Sequence, residues 1–170
     1  MSIHLRITLL SLLVLLAAPA QSVSTIQIDP IVTTTASGTT AVVKLRYDRG
    51  LAKAALGAFD LTVNYDPESA QVVNAAWGDP AALDRLEALG TGSLSGIGTT
   101  LPGVITLYKV ALATAAELDA AQPPSLVLAT ITFKLTKPAT NILTISVRAL
   151  ADSAGATVLG KLRGAFLVIN

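Results

Sequence analysis

Cysteine is absent from the 170-residue chain, and its only histidine and only methionine are His4 and Met1. Beyond its first residues the chain therefore has no Ser-His-Asp triad, no Cys-His pair, and no zinc or copper site built on imidazole or thiolate. No disulfide can form, so the fold must rest on apolar burial and backbone hydrogen bonds. Aromatic residues are sparse, with three Tyr, three Phe and one Trp. A flat row of exposed rings, as needed to grip crystalline polysaccharide, is hard to assemble from so few. Charge is scarce and balanced, 12 Lys plus Arg against 11 Asp plus Glu. A neutral, evenly mixed surface argues against nucleic acid and against an anionic membrane as main partners, since both select basic patches. The glycine-rich stretch Gly90 to Gly98 carries no lysine and makes no phosphate loop. Nothing in the spacing of the acids favours a carboxylate pair for glycoside hydrolysis. These absences point away from an enzyme and require no cofactor.

What is there begins with a leader. His4 and Arg6 make a basic start, Ile7 to Ala18 is an apolar run, and Ala18-Pro19-Ala20 is a small-residue cleavage motif. The run is shorter than the roughly 20 residues a membrane span needs. Residues 1–20 are expected to be a signal peptide that is removed. Residues 21–170 are then one domain, secreted or periplasmic, with no membrane attachment. Without Arg6 the remaining chain carries eleven charges of each sign.

That domain reads as strands. In Gly57-Ala58-Phe59-Asp60-Leu61-Thr62-Val63-Asn64-Tyr65-Asp66-Pro67, apolar Phe59, Leu61, Val63 and Tyr65 alternate with small or polar residues. Successive side chains of a strand point to opposite faces, so one face meets a core and the other meets water or a partner. Asp66-Pro67 ends the run. Similar alternation covers Thr25 to Asp29, Thr40 to Tyr47, Ser125 to Leu135 and Asn141 to Arg148, while Ala70 to Trp77 is an extended apolar run and Gly103 to Leu112 and Gly164 to Ile169 read as further strands. In Ser125 to Leu135 the pattern puts Val127, Ala129, Ile131, Phe133 and Leu135 on one face. Pro30 to Thr39 reads as a loop or irregular edge, Gly90 to Gly98 as a long loop, and Asp152 to Gly155 as a turn. Two short helices are expected. One covers Ala81 to Leu89 behind Asp79-Pro80. The other covers Thr114 to Ala121, where Thr114 and Glu117 have capping-box spacing. Many short strands, Gly/Pro turns and so little helix define an all-β antiparallel sandwich.

The string from Gly57 to Pro67 resembles the third-strand signature of cohesin domains, the receptor modules of bacterial cellulosome scaffolds. Leu128-Ala129-Thr130-Ile131-Thr132-Phe133 is similar to a second cohesin strand, and the resemblance covers about Ile26 to Ile169. It implies a nine-stranded jelly roll. It also implies a protein partner, the dockerin, which cohesins contact through an Asn and an Asp two apart on this strand. The Asp position is Asp60, while the Asn position is Ala58 here. Asp60, Thr62 and Asn64, on the polar side of the strand, are the expected partner-binding residues.

Carbohydrate binding is the alternative, since scaffoldin carbohydrate-binding modules share the sandwich. Its candidate residues are Trp77 and Tyr108, the two rings outside the clearest apolar faces. For calcium, Asp79 with Asp84, or Asp152, would offer hard oxygen ligands, but no D-x-D-x-D-G loop is present and no metal site is expected.

Overall fold

The computed structural model describes residues 23–51, 54–78 and 92–170. Eleven strand segments and one helix follow one another as β1 (Ser24–Asp29), β2 (Val32–Thr35), β3 (Thr40–Asp48), β4 (Leu56–Asn64), β5 (Ala70–Trp77), β6 (Ser93–Gly98), β7 (Val104–Ala111), α1 (Ala115–Ala121), β8 (Ser125–Leu135), β9 (Ala139–Asp152), β10 (Gly160–Arg163) and β11 (Ala165–Ile169). They form two packed sheets, one of five strands in the order β10-β1-β3-β8-β5 and one of six in the order β2-β11-β9-β4-β7-β6. The expected signal peptide, the helix over Ala81 to Leu89, and the acids Asp79 and Asp84 lie outside the described residues.

The nine expected strands become eleven segments because two of them change sheets. The first runs as β1 in one sheet, bends at Asp29-Pro30-Ile31, and continues as β2 in the other. The last does the same as β10 and β11, with Gly164 at the bend. The two travel side by side, so β1 pairs parallel with β10 and β2 parallel with β11. Every other strand pair is antiparallel. Only glycine fits at position 164, since a Cβ there would overlap the carbonyl of Leu143.

The alternation seen in the sequence decides the inner faces. Ile26, Ile28, Val43, Leu45, Phe59, Leu61, Val63, Ile131, Phe133, Leu135 and Leu143 are fully or almost fully buried in one continuous core. Each such side chain contributes roughly 1.5–3 kcal/mol of burial free energy. Phe133, near the end of β8, meets Tyr65, just past the end of β4, edge to face at 5.2 Å. Tyr47 is also inside, with its hydroxyl 3.1 Å from Ser24 Oγ. Burial pushes its pKa above the ordinary tyrosine value.

Two expectations change at irregularities in the sheets. The β3–β8 register shifts between Leu45 and Arg46, which leaves Leu128 as an extra residue. Val127 is thereby turned to the outer face opposite Arg46, and Leu126 goes inward in its place. Ser93 to Gly98, read from its glycines as loop, is the edge strand β6, paired with β7 from Ser93↔Ala111 to Gly98↔Thr106. Its backbone pairing holds a sequence with little strand propensity of its own.

Both ends of β4 are closed by side-chain amides. At its start, Gln122 accepts from the Leu56 N–H at 2.8 Å and donates to the Leu56 carbonyl at 2.6 Å. At its exit, Asn141 accepts from Asp66 N–H at 3.0 Å and donates to the Asp66 carbonyl at 2.8 Å and to Ser69 Oγ at 3.0 Å. Helix α1 ends on the first of these, with Gln122 as its C-cap. Thr114 caps it with the full capping box to Glu117. Its Asp119 accepts from Ala55 N–H and from Ser153 Oγ, both at 2.7 Å.

Candidate functional site

Strand β4 lies inside the six-stranded sheet, between β9 and β7. Its inward row is core, so Asp60, Thr62 and Asn64 point out of the sandwich, each partly exposed. Register then decides their neighbours. Asp60 faces Tyr108 on β7 and Ala149 on β9, Thr62 faces Thr106 and Ser146, and Asn64 faces Val104 and Thr144. Asn64 Nδ2 reaches Thr144 Oγ1 at 3.5 Å. The result is a band of short hydroxyl and amide side chains across three strands.

Among the described residues, Asp60 is the only charged residue that the register places on this outer face, and Arg148, the extra residue at the β4–β9 irregularity between Val147 and Ala149, reaches it. They lie 3.8 Å apart, with the Asp60 side chain 36% and the Arg148 side chain 77% exposed. A loose pair so open to water holds neither partner firmly and leaves Asp60 able to exchange it for another cation. Two apolar corners flank the band. Leu94, Val110 and Ala58 form one row across β6, β7 and β4, and Val32, Phe166 and Ile142 form another across β2, β11 and β9. Leu94, Val110, Val32, Phe166 and Ile142 are all exposed. These corners escaped the sequence reading, because each brings together three separate strands whose register no local pattern shows.

The rings proposed for carbohydrate do not share a surface. Trp77 points into the sandwich from β5, edge to face with Phe59 at 6.0 Å, with the Lys109 ammonium 4.8 Å from its ring centroid. Lys109 itself is fully buried. Tyr108 is on the outer face of the other sheet, and its ring lies along β6 over Gly96. A Cβ on Gly96 would sit 2.6 Å from the ring, so the glycine is what lets Tyr108 lie flat. Trp77 and Tyr108 therefore make no common stacking platform.

Asp152 is a turn residue. Its carboxylate accepts from the N–H groups of Ala154 and Ala156, both at 2.9 Å. Among the described residues no three acids, histidines or cysteines come together as a metal would require. Asp66 is the other well-held carboxylate. Hydrogen bonds from the Glu68 N–H and from Ser69 Oγ hold its pKa below the ordinary carboxylate range.

The outer face of the six-stranded sheet thus has a polar centre and apolar corners. Comparison with known proteins adds the class of fold. No family model matches the chain, and no curated protein does. Solved structures do. The sixth cohesin of scaffoldin B from Acetivibrio cellulolyticus, solved with a Cel5 dockerin mutant, is similar with a TM-score of 0.70 at 17% identity, covering 87% of this chain and 99% of that one. A type I cohesin from Clostridium thermocellum, solved with the dockerin Doc918, matches with a TM-score of 0.67 at 18% identity over 87% and 99%. A non-cellulosomal cohesin from the archaeon Archaeoglobus fulgidus matches with a TM-score of 0.62 at 16% identity over 87% and 91%. The chain has the cohesin fold, a β-sandwich of jelly-roll form. The likeness extends over nearly the whole of those modules.

Proposed function

We propose that this chain is an exported, non-enzymatic binding module whose partner is a dockerin-like extracellular protein. The partner lies across the outer face of the six-stranded sheet, around Asp60, Thr62 and Asn64. One observation carries the reading: the outward row of β4 is central in a sheet face that holds, among the described residues, a single loose ion pair beside Tyr108, short polar side chains and apolar ones. Such a face can be desolvated at little electrostatic cost, and its exposed apolar corners supply the favourable term. The shared fold supports it, since similar modules were solved in complex with dockerins. The leader at residues 1–20 supports export, and the lack of histidine and cysteine beyond it supports a role without catalysis. Among the described residues no helix is long and apolar enough to cross a membrane.

The test is capture on immobilised protein, with purified dockerins and the culture supernatant of the source cells as probes. The wild-type protein is expected to retain a protein partner. Asp60→Lys should leave thermal stability within about 1 kcal/mol, as exposed substitutions do, and should weaken capture by about tenfold or more, because charge complementarity governs such contacts. Equal capture by the folded variant would move the interface elsewhere. Failure of the wild-type protein to retain any protein would overturn the reading.

A further inference from the structure

The even mixing of charge expected from the composition does not survive folding. Among the described residues, the outer face of the five-stranded sheet carries five cations and two acids. Register sets them in adjoining rows. Lys161 (β10), Thr25 (β1), Asp48 (β3) and Ser125 (β8) form one row. Arg163, Gln27, Arg46 and Val127 form the next. Asp29, Lys44 and Thr130 follow, and Lys134 stands further along β8 opposite Gln71. Arg46 Nε donates to Asp29 Oδ2 at 2.7 Å and its Nη1 reaches Ser125 at 3.3 Å, so that cation is partly neutralised. Lys134, Lys161 and Arg163 are exposed and form no ion pair among the described residues. From strand spacing and rise the stripe runs diagonally for about 30 Å. Among the described residues the opposite sheet has one cation and one acid on its outer face, so the excess of positive charge between the two faces lies on this one.

The neutral side chains of this face narrow the ligand. Thr25, Gln27, Ser125, Thr132, Asn74 and Gln71 stand between or beside the cations. These are hydroxyls and amides suited to sugar hydroxyls. No aromatic residue points outward here, so there is nothing to stack bases as single-stranded nucleic acid requires. The exposed or half-exposed apolar residues Val42, Val73 and Val127 are short, unlike the Trp, Phe or Leu of a helix that lies in a membrane interface. We propose that the outer face of the five-stranded sheet is a second binding face, which takes a linear acidic polysaccharide bearing uronate carboxylates. Guanidinium and ammonium groups engage the carboxylates, and the amides and hydroxyls engage the ring hydroxyls. This site works by charge rather than ring stacking, and it leaves the β4 face free. One module can thus hold a protein on one side and an acidic glycan on the other.

Affinity electrophoresis with polygalacturonate in the gel tests it, with dextran as the neutral control. The wild-type protein should be retarded by polygalacturonate and not by dextran, and retardation should vanish as salt rises from about 20 mM to about 500 mM, where charges are screened within a few ångströms. Lys161→Glu with Arg163→Glu, and separately Lys134→Glu, should each weaken binding at least about fivefold while melting unchanged. Arg148→Glu makes the same charge change as Lys134→Glu but on the other sheet, and should be retarded like the wild-type protein. The proposal is overturned by no retardation, or by Arg148→Glu losing as much as Lys134→Glu. It is equally overturned by binding of single-stranded DNA or of phosphatidylserine vesicles as strong as that of polygalacturonate.

Discussion

Gln122 offers the sharpest test of how this fold holds its central strand. The residue follows α1 and is 4% exposed. Its amide makes two hydrogen bonds to one backbone unit, the N–H and the carbonyl of Leu56, which is itself fully buried. Register shows why it is needed. The β4–β7 ladder begins at Ala58, so Leu56 has no partner from β7. The side chain stands in for the missing strand. Gln122→Ala would strand a buried donor and a buried acceptor at about 1–3 kcal/mol each, and the loss should total about 2–6 kcal/mol. For a domain of this size that is a fall in Tm of about 5–15 °C. Gln122→Glu keeps the acceptor but sets a carboxylate against the Leu56 carbonyl, and should destabilise at least as much. Urea unfolding followed by tryptophan fluorescence measures the loss. A loss below about 0.5 kcal/mol for Gln122→Ala, with an unchanged m-value, would refute the idea that this amide acts as a strand.

Phe133→Ala removes a fully buried ring and its edge contact with Tyr65. It should cost about 3–5 kcal/mol in chemical denaturation, and under about 1 kcal/mol would contradict the face assignment. Acid should destabilise the fold through Asp66 and Asp119. The Glu68 N–H holds the Asp66 pKa down, and the Ala55 N–H does the same for Asp119. A depressed folded pKa contributes stability above the unfolded value, near 4, and that stability is lost as pH falls through the folded pKa. Melting temperatures followed below about pH 4 should therefore drop more steeply for the wild-type protein than for Asp66→Asn with Asp119→Asn, and equal slopes would contradict this. Mass spectrometry of the exported protein should lack Met1 to about Ala20, and an intact N-terminus would show that the leader is retained.

Much of the architecture follows from local pattern. Phe59, Leu61 and Val63 against Asp60, Thr62 and Asn64 already assign the two faces of β4, because side-chain direction in a strand has a period of two and needs no partner to define it. The Thr114–Glu117 capping box is local in the same way, and so is the turn at Asp152. Other features depend on which distant segment lies alongside. The bulge opposite Leu45 and Arg46 turned Val127 outward, an event set by the fit of two strands about 80 residues apart. Ser93 to Gly98 became a strand because β7 paired with it, and Val32 to Thr35 because β11 did. Lys109 and Trp77 alternate like any strand residues, yet only the packing of one sheet on the other shows both turned inward. The charges follow the same division. Their number is a property of the sequence, and it is balanced. Their segregation, one loose pair on one face and a cationic stripe on the other, arises because register aligns Lys161, Arg163, Arg46 and Lys44 from β10 and β3, segments that no local pattern connects.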